Sequence, residues 1–71
     1  MFVVLVIKYL NQGIEENIEY DSPDQFVARQ QLEVPDLQDY YEINKVLLDG
    51  KSLNDFHGKT IIDLFNYYNV L

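Results

Sequence analysis

The chain has no cysteine and no tryptophan, and among its 71 residues only one histidine, two prolines and three glycines. Without thiols there is neither a disulfide framework nor a thiolate metal site, and a cytoplasmic setting fits that lack. A lone His57 cannot supply the three or four nitrogen and sulfur ligands of a zinc centre. Basic residues are also scarce: five Lys and Arg stand against twelve Asp and Glu, a formal charge of −7. This deficit argues against direct binding of nucleic acid or anionic lipid through a basic surface, and leaves a protein partner with a basic surface as the complement. Long apolar runs are missing as well. Phe2-Val3-Val4-Leu5-Val6-Ile7 is stopped by Lys8, far short of the roughly 20 residues a membrane span needs. With no basic segment before it and no small-residue cleavage site after it, the run reads as a buried strand rather than a signal or membrane segment.

What is present suffices for one core. Hydrophobic residues make up 48% and aromatics 14%, enough to offset ordering entropy, and the length allows a single domain over residues 1–71. Residues 2–10 are apolar on both alternating faces, with Phe2, Val4, Val6 and Leu10 on one and Val3, Leu5, Ile7 and Tyr9 on the other, so this strand is expected at the centre of a sheet. Asn11-Gln12-Gly13 provides a hairpin turn into a half-exposed strand over 14–20. Ser22-Pro23-Asp24-Gln25 is a helix start. That helix carries Phe26, Val27, Ala28 and Leu32 and should end near Glu33, before Val34-Pro35. Asp36 to Asp39 reads as a polar loop. Residues 40–48 form a third strand, Asp49-Gly50 a turn into a short fourth strand around 51–53, and Thr60 with Asp63 opens a helix burying Ile61, Leu64, Phe65 and Tyr68. The fold class is α+β in the order β-β-α-β-(β)-α, a small antiparallel or mixed sheet with two helices.

Two resemblances accompany this reading. Leu47-Leu48-Asp49-Gly50-Lys51-Ser52-Leu53, preceded by a hairpin and a helix, resembles the turn that follows the helix in ubiquitin-like β-grasp proteins. The chain has no Gly-Gly tail, so conjugation is not implied. More broadly, Lys8-Tyr9-Leu10, Tyr20-Asp21-Ser22 leading to Phe26, Val34-Pro35-Asp36, Asp49-Gly50 with Leu53, Gly58, and Asp63-Leu64-Phe65 resemble a family of short uncharacterised proteins of streptococci and related lactic acid bacteria, a domain of unknown function. That resemblance implies no activity.

Catalytic and metal constellations fail on their spacing. Gly58-Lys59-Thr60 looks like the end of a phosphate-binding loop, but Leu53 stands where that motif needs a glycine. His57 and Asp55 have no nucleophilic cysteine or serine to complete a set, so His57 reads as an exposed loop residue. Asp49 to Asp55 lacks the alternating oxygen ligands and closing glutamate of a calcium loop. No catalytic, metal or cofactor residues are assigned.

The distribution of charge is more informative. Residues 15–42 hold nine carboxylates against Arg29 alone, whereas residues 43–71 balance three acids with three lysines. Glu15, Glu16, Glu19, Asp21, Asp24, Asp36, Asp39 and Glu42, with the tyrosine pair Tyr40-Tyr41, therefore form the candidate interaction surface. Tyr68 is expected at the core margin and Tyr67 as a further contact residue. The functional expectation is a non-enzymatic acidic interaction module of bacterial or phage origin. A phage-type nucleic-acid mimic that blocks a DNA- or RNA-binding protein is the alternative, and a small hydrolase or metal-dependent enzyme a remote one. Should both helices cover a single sheet face, the apolar residues on the other are expected to drive homodimerisation.

Overall fold

A computed structural model describes residues 4–69. The expected strand start at Phe2-Val3 and the conformation of Val70-Leu71 lie outside the described residues. The turn chemistry places the first two strands. β1 (Leu5–Asn11) and β2 (Ile14–Tyr20) form an antiparallel hairpin in which Asn11 pairs with Ile14. Gln12 and Gly13 between them both take positive φ, 54° and 81°, the conformation whose twist matches a two-residue hairpin. Glycine enters it without a steric cost; Gln12 does not.

At α1 (Pro23–Gln30) the Ser22 Oγ accepts from the Gln25 N–H at 3.2 Å and the Gln25 Oε1 accepts from the Asp21 N–H at 2.8 Å. The first bond satisfies an otherwise orphaned donor of the helix start, and the second ties the residue before the cap to the first turn. β3 (Glu42–Leu48) pairs antiparallel with the free side of β1, and a second positive-φ turn at Asp49-Gly50 leads to β4 (Lys51–Ser52). The final helix, α2 (Ile61–Tyr68), starts where the Asp63 carboxylate accepts from the N–H groups of Thr60 and Lys59.

The sheet order is β2-β1-β3-β4 and every ladder is antiparallel. The apolar strand is indeed central. β2 and β3 flank β1 and run parallel to each other, so β2-α1-β3 is a split β-α-β unit. The register puts the buried side chains Leu5, Ile7, Tyr9, Tyr20 and Val46 on one face, since Leu5 opposes Tyr20 and Ile7 opposes Val46. Phe26 of α1 and Ile61 and Leu64 of α2 close the same core. Both helices thus lie on one side. The other face, with Val6, Lys8 and Leu10 of β1 beside Glu15, Asn17 and Glu19 of β2 and Lys45 and Leu47 of β3, carries no helix.

The first helix departs from expectation in two ways. It ends at Gln30, and Leu32 and Val34 are 47% and 79% exposed. At about 100° per residue Leu32 falls some 240° round from Phe26, off the buried stripe, whereas Gln30, four residues on, falls back onto it. The buried Gln30 amide donates to the Leu37 carbonyl at 2.9 Å and accepts from the Leu37 N–H at 3.0 Å. This pairing draws Leu37, 2% exposed, into the core out of a segment that reads as polar loop.

Candidate functional site: an acidic edge and a tyrosine groove

Strand geometry sorts the ten candidate residues into groups. β2 is an edge strand, paired with β1 alone. Glu15 and Glu19 oppose Leu10 and Val6 and so belong to the helix-free face, whereas Glu16 opposes Tyr9 on the helix-covered one. The Glu16 carboxylate accepts from the Asn11 side-chain amide at 3.1 Å and from the Tyr9 hydroxyl at 3.5 Å. Asp21 and Asp24 continue the exposed acidic line into the first turn of α1, where the helix dipole favours a carboxylate. Across β1, the Asn44 amide, at the irregularity where β3 slips register, donates to Glu15 at 3.3 Å.

Asp36 is committed elsewhere. Its two oxygens accept from Arg29 Nε and a terminal Arg29 nitrogen, each at 3.0 Å, and one also accepts from the Tyr20 hydroxyl at 3.2 Å. The one cation of the acidic stretch is therefore occupied by Asp36, beside Tyr20 at the C-terminal end of β2. From Ile14 to Ala28 the chain carries five carboxylates and no Lys or Arg.

Asp39, Tyr40, Tyr41 and Glu42 form the second group, at the hairpin end of the sheet. Tyr41 stacks on Tyr9 with ring centroids 5.5 Å apart and planes 10° apart, and Tyr40 meets Tyr41 nearly at right angles, 79°, at 5.3 Å. Tyr40 is 72% exposed. Together with Leu10, Gln12, Gly13 and Glu42, the pair lines a groove of about 270 Å³. Asp39 is exposed beside it and its carbonyl accepts from the Ile62 N–H at 3.1 Å. The contribution of Leu10 and the hairpin tip is invisible to motif reading, because only the β1–β3 register brings Leu10 opposite Glu42. Tyr67 packs edge-on against Phe56, and Tyr68 is partly buried.

The ionisation behaviour is structural. The hydrogen bonds from Arg29, with a further one from Tyr20, hold the Asp36 carboxyl below the usual carboxylate range, and the Lys59 and Thr60 amides do the same for Asp63. Burial, and then the neighbouring Asp36 charge, push the Tyr20 hydroxyl well above its ordinary value. A carboxyl depressed by folding contributes stability that is complete above its unfolded pKa and disappears as pH falls through the folded one. The contribution of these two carboxyls should therefore be complete from neutrality to about pH 5 and be lost progressively below about pH 4. Urea midpoints measured across that range should show a shallower decline for Asp36→Asn than for the parent chain.

His57 and Asp55 are both exposed. Among the described residues no three His, Cys, Asp or Glu side chains are grouped to hold a metal ion. Gly58, in the segment that resembles a phosphate loop, has a packing role: a Cβ there would lie 2.7 Å from the Phe56 ring and collide with the Asp63 Cβ. Gly58→Ala should cost about 1–3 kcal/mol by overpacking, read as a lowered urea midpoint with an unchanged slope.

The molecule is thus a two-layer α+β domain with one sheet face free of helices, an acidic edge and an aromatic groove at its hairpin end. By family-model comparison over residues 5–69 the chain belongs to the family described as domain of unknown function DUF4649. No curated protein and no solved structure matches it. Among the described residues no helix is long and apolar enough to cross a membrane.

Proposed function

We propose that the protein is a non-enzymatic interaction module whose β2 edge meets a basic, extended segment of a partner protein. One observation carries this reading: the strand left unpaired on its outer side is the strand that holds Glu15, Glu16 and Glu19, with Asp21 and Asp24 following. No backbone hydrogen bond joins that outer side to another described segment. Such an edge offers a row of main-chain donors and acceptors. Its carboxylates decide which strand can use it. Two copies of β2 paired antiparallel about Asn17 would bring Glu15 of each against Glu19 of the other, a destabilising like-charge pairing. A lysine- or arginine-bearing strand meets the opposite situation.

Affinity capture from a host lysate at low ionic strength tests the idea. The reading requires a basic protein that is released by salt, because exposed charge pairs are screened within about 10 Å at 0.1 M ionic strength; capture that survives high salt, or fails altogether, removes it. If the captured protein binds DNA or RNA and is displaced by nucleic acid, the module acts as a nucleic-acid mimic. The spacing supports that version less, since the neutral Asn17 interrupts the carboxylates between Glu15 and Glu19.

The helix-free face favours a second association, with another copy of the chain. Val6, Leu10 and Leu47 are only partly buried there and lie in adjoining strands. A two-fold axis parallel to the strands would set the Glu15–Glu19 row of one copy over the β3 row of the other, which contains Lys45. Light scattering at high concentration decides it: a dimer supports the arrangement and a monomer excludes it.

A further inference from the structure

We infer that the groove at the hairpin end receives a cationic side chain, an arginine or lysine, from that basic partner. The inference rests on the reading of the β2 edge above and adds a particular anchor to it. Tyr9 backs Tyr41 in a near-parallel stack, and Tyr40 stands at 79° to Tyr41 with its ring largely in solvent. With one face of Tyr41 covered by Tyr9, the exposed Tyr40 ring is the one that offers its negative π face to a cation at this corner.

Glu42 forms part of the wall, and Asp39 is exposed next to the ring pair along the chain. Glu15 and Glu42 both oppose Leu10, one from each side of β1, so two carboxylates flank the groove's apolar base. None of the six residues lining it is a cation. The charge that would compete for the corner is thus absent from its walls.

Size points to a single side chain. Pockets for drug-sized ligands run from roughly 300 to 1,000 Å³, and this groove, at about 270 Å³, falls just below that range. Leu10 offers an apolar surface for the methylene stem, in the way that long cationic side chains bury their stems and keep the head polar. The hairpin turn fixes Gln12 and Gly13, and the Tyr9 stack holds Tyr41, so little ordering remains to be done on binding.

The test uses Nα-acetylarginine methylamide and Nα-acetyllysine methylamide as probes, with Nα-acetylcitrulline methylamide as the neutral counterpart of the first, titrated into the isotopically labelled chain. Saturable shifts of the Tyr40 and Tyr41 ring signals and of the Gln12 and Gly13 amides are expected, with affinity on the order of millimolar and at least fivefold weaker for citrulline. Tyr40→Ala should abolish the response, Tyr40→Phe should retain it within about twofold because the ring face is kept, and Glu42→Gln should weaken it about threefold or more. Linear shifts for both cations, equal binding of the citrulline compound, or an unchanged response in Tyr40→Ala overturns the inference. Circular dichroism confirms that the variants are folded. Partner capture that is lost in a Glu15→Lys/Glu19→Lys chain but intact in Tyr40→Ala removes the groove and leaves the edge. The reverse pattern removes the edge.

Discussion

Lysine at both Glu15 and Glu19 lowers affinity for the captured basic partner by roughly tenfold or more at low salt, and leaves the urea midpoint almost unchanged. Each reversal removes an attraction and adds a repulsion, and an exposed pair contributes about 0.2–1 kcal/mol before that doubling. Both side chains lie on the helix-free face of an edge strand, away from the core formed by Leu5, Ile7 and Phe26. Surface changes of this kind usually move stability by no more than about 0.5 kcal/mol. The salt dependence should also flatten, since fewer opposite charges remain to be screened. Titration calorimetry at two ionic strengths measures both effects. An affinity within twofold of the parent value at low salt would exclude the edge as the docking surface.

Gln30→Leu should be among the most damaging single changes to the fold, although it replaces a polar core residue by an apolar one. The Gln30 amide satisfies both main-chain groups of Leu37, and both residues are buried. Leucine would leave a buried N–H and a buried C=O without partners, at about 1–3 kcal/mol each. A domain of this length has a total stability of about 4–10 kcal/mol, so the variant should lose a large fraction of it. Chemical unfolding should show a loss of about 2–5 kcal/mol, and amide exchange at Leu37 should accelerate most. A loss below about 1 kcal/mol would mean that water reaches Leu37 in place of the amide.

These two residues mark where the sequence stopped being legible. Period-two alternation exposed the faces of β1 and β2, and Gly13 and Asp49-Gly50 marked the positive-φ turns, so the two hairpins and the central place of β1 followed from local signals, whereas the antiparallel β1–β3 pairing did not. The helix starts were equally local, at Ser22-Pro23 and at Thr60 with Asp63. Gln30 was not legible. A glutamine in a helix looks like a solvent position, and its task depends on a backbone segment seven residues away whose approach no local pattern encodes. Leu32 misled for the complementary reason, as an apolar residue counted into a helix that stops before it.

The candidate surface was legible in composition and only partly in geometry. The concentration of acid between Glu15 and Glu42 could be counted, and alternation placed Glu15 and Glu19 on one strand face, but the rest of its division could not be read. Strand parity turned Glu16 towards Tyr9 and Asn11, Arg29 took Asp36, and the β1–β3 register assembled Tyr40, Tyr41 and Glu42 with the hairpin tip. The groove needs partners remote in sequence, whereas Glu16 and Arg29 meet groups five to seven residues away that no motif marks. The surface that remains is smaller than the charge count suggests, and it has a defined edge.

Hydrogen exchange on the complex with the captured partner tests that edge most directly. Strand addition predicts that slowed amides appear within Ile14–Tyr20, alternating along β2 as only every second N–H faces outward. Unchanged exchange throughout β2, with protection confined to the helices or to the Leu53–Lys59 segment, would contradict it.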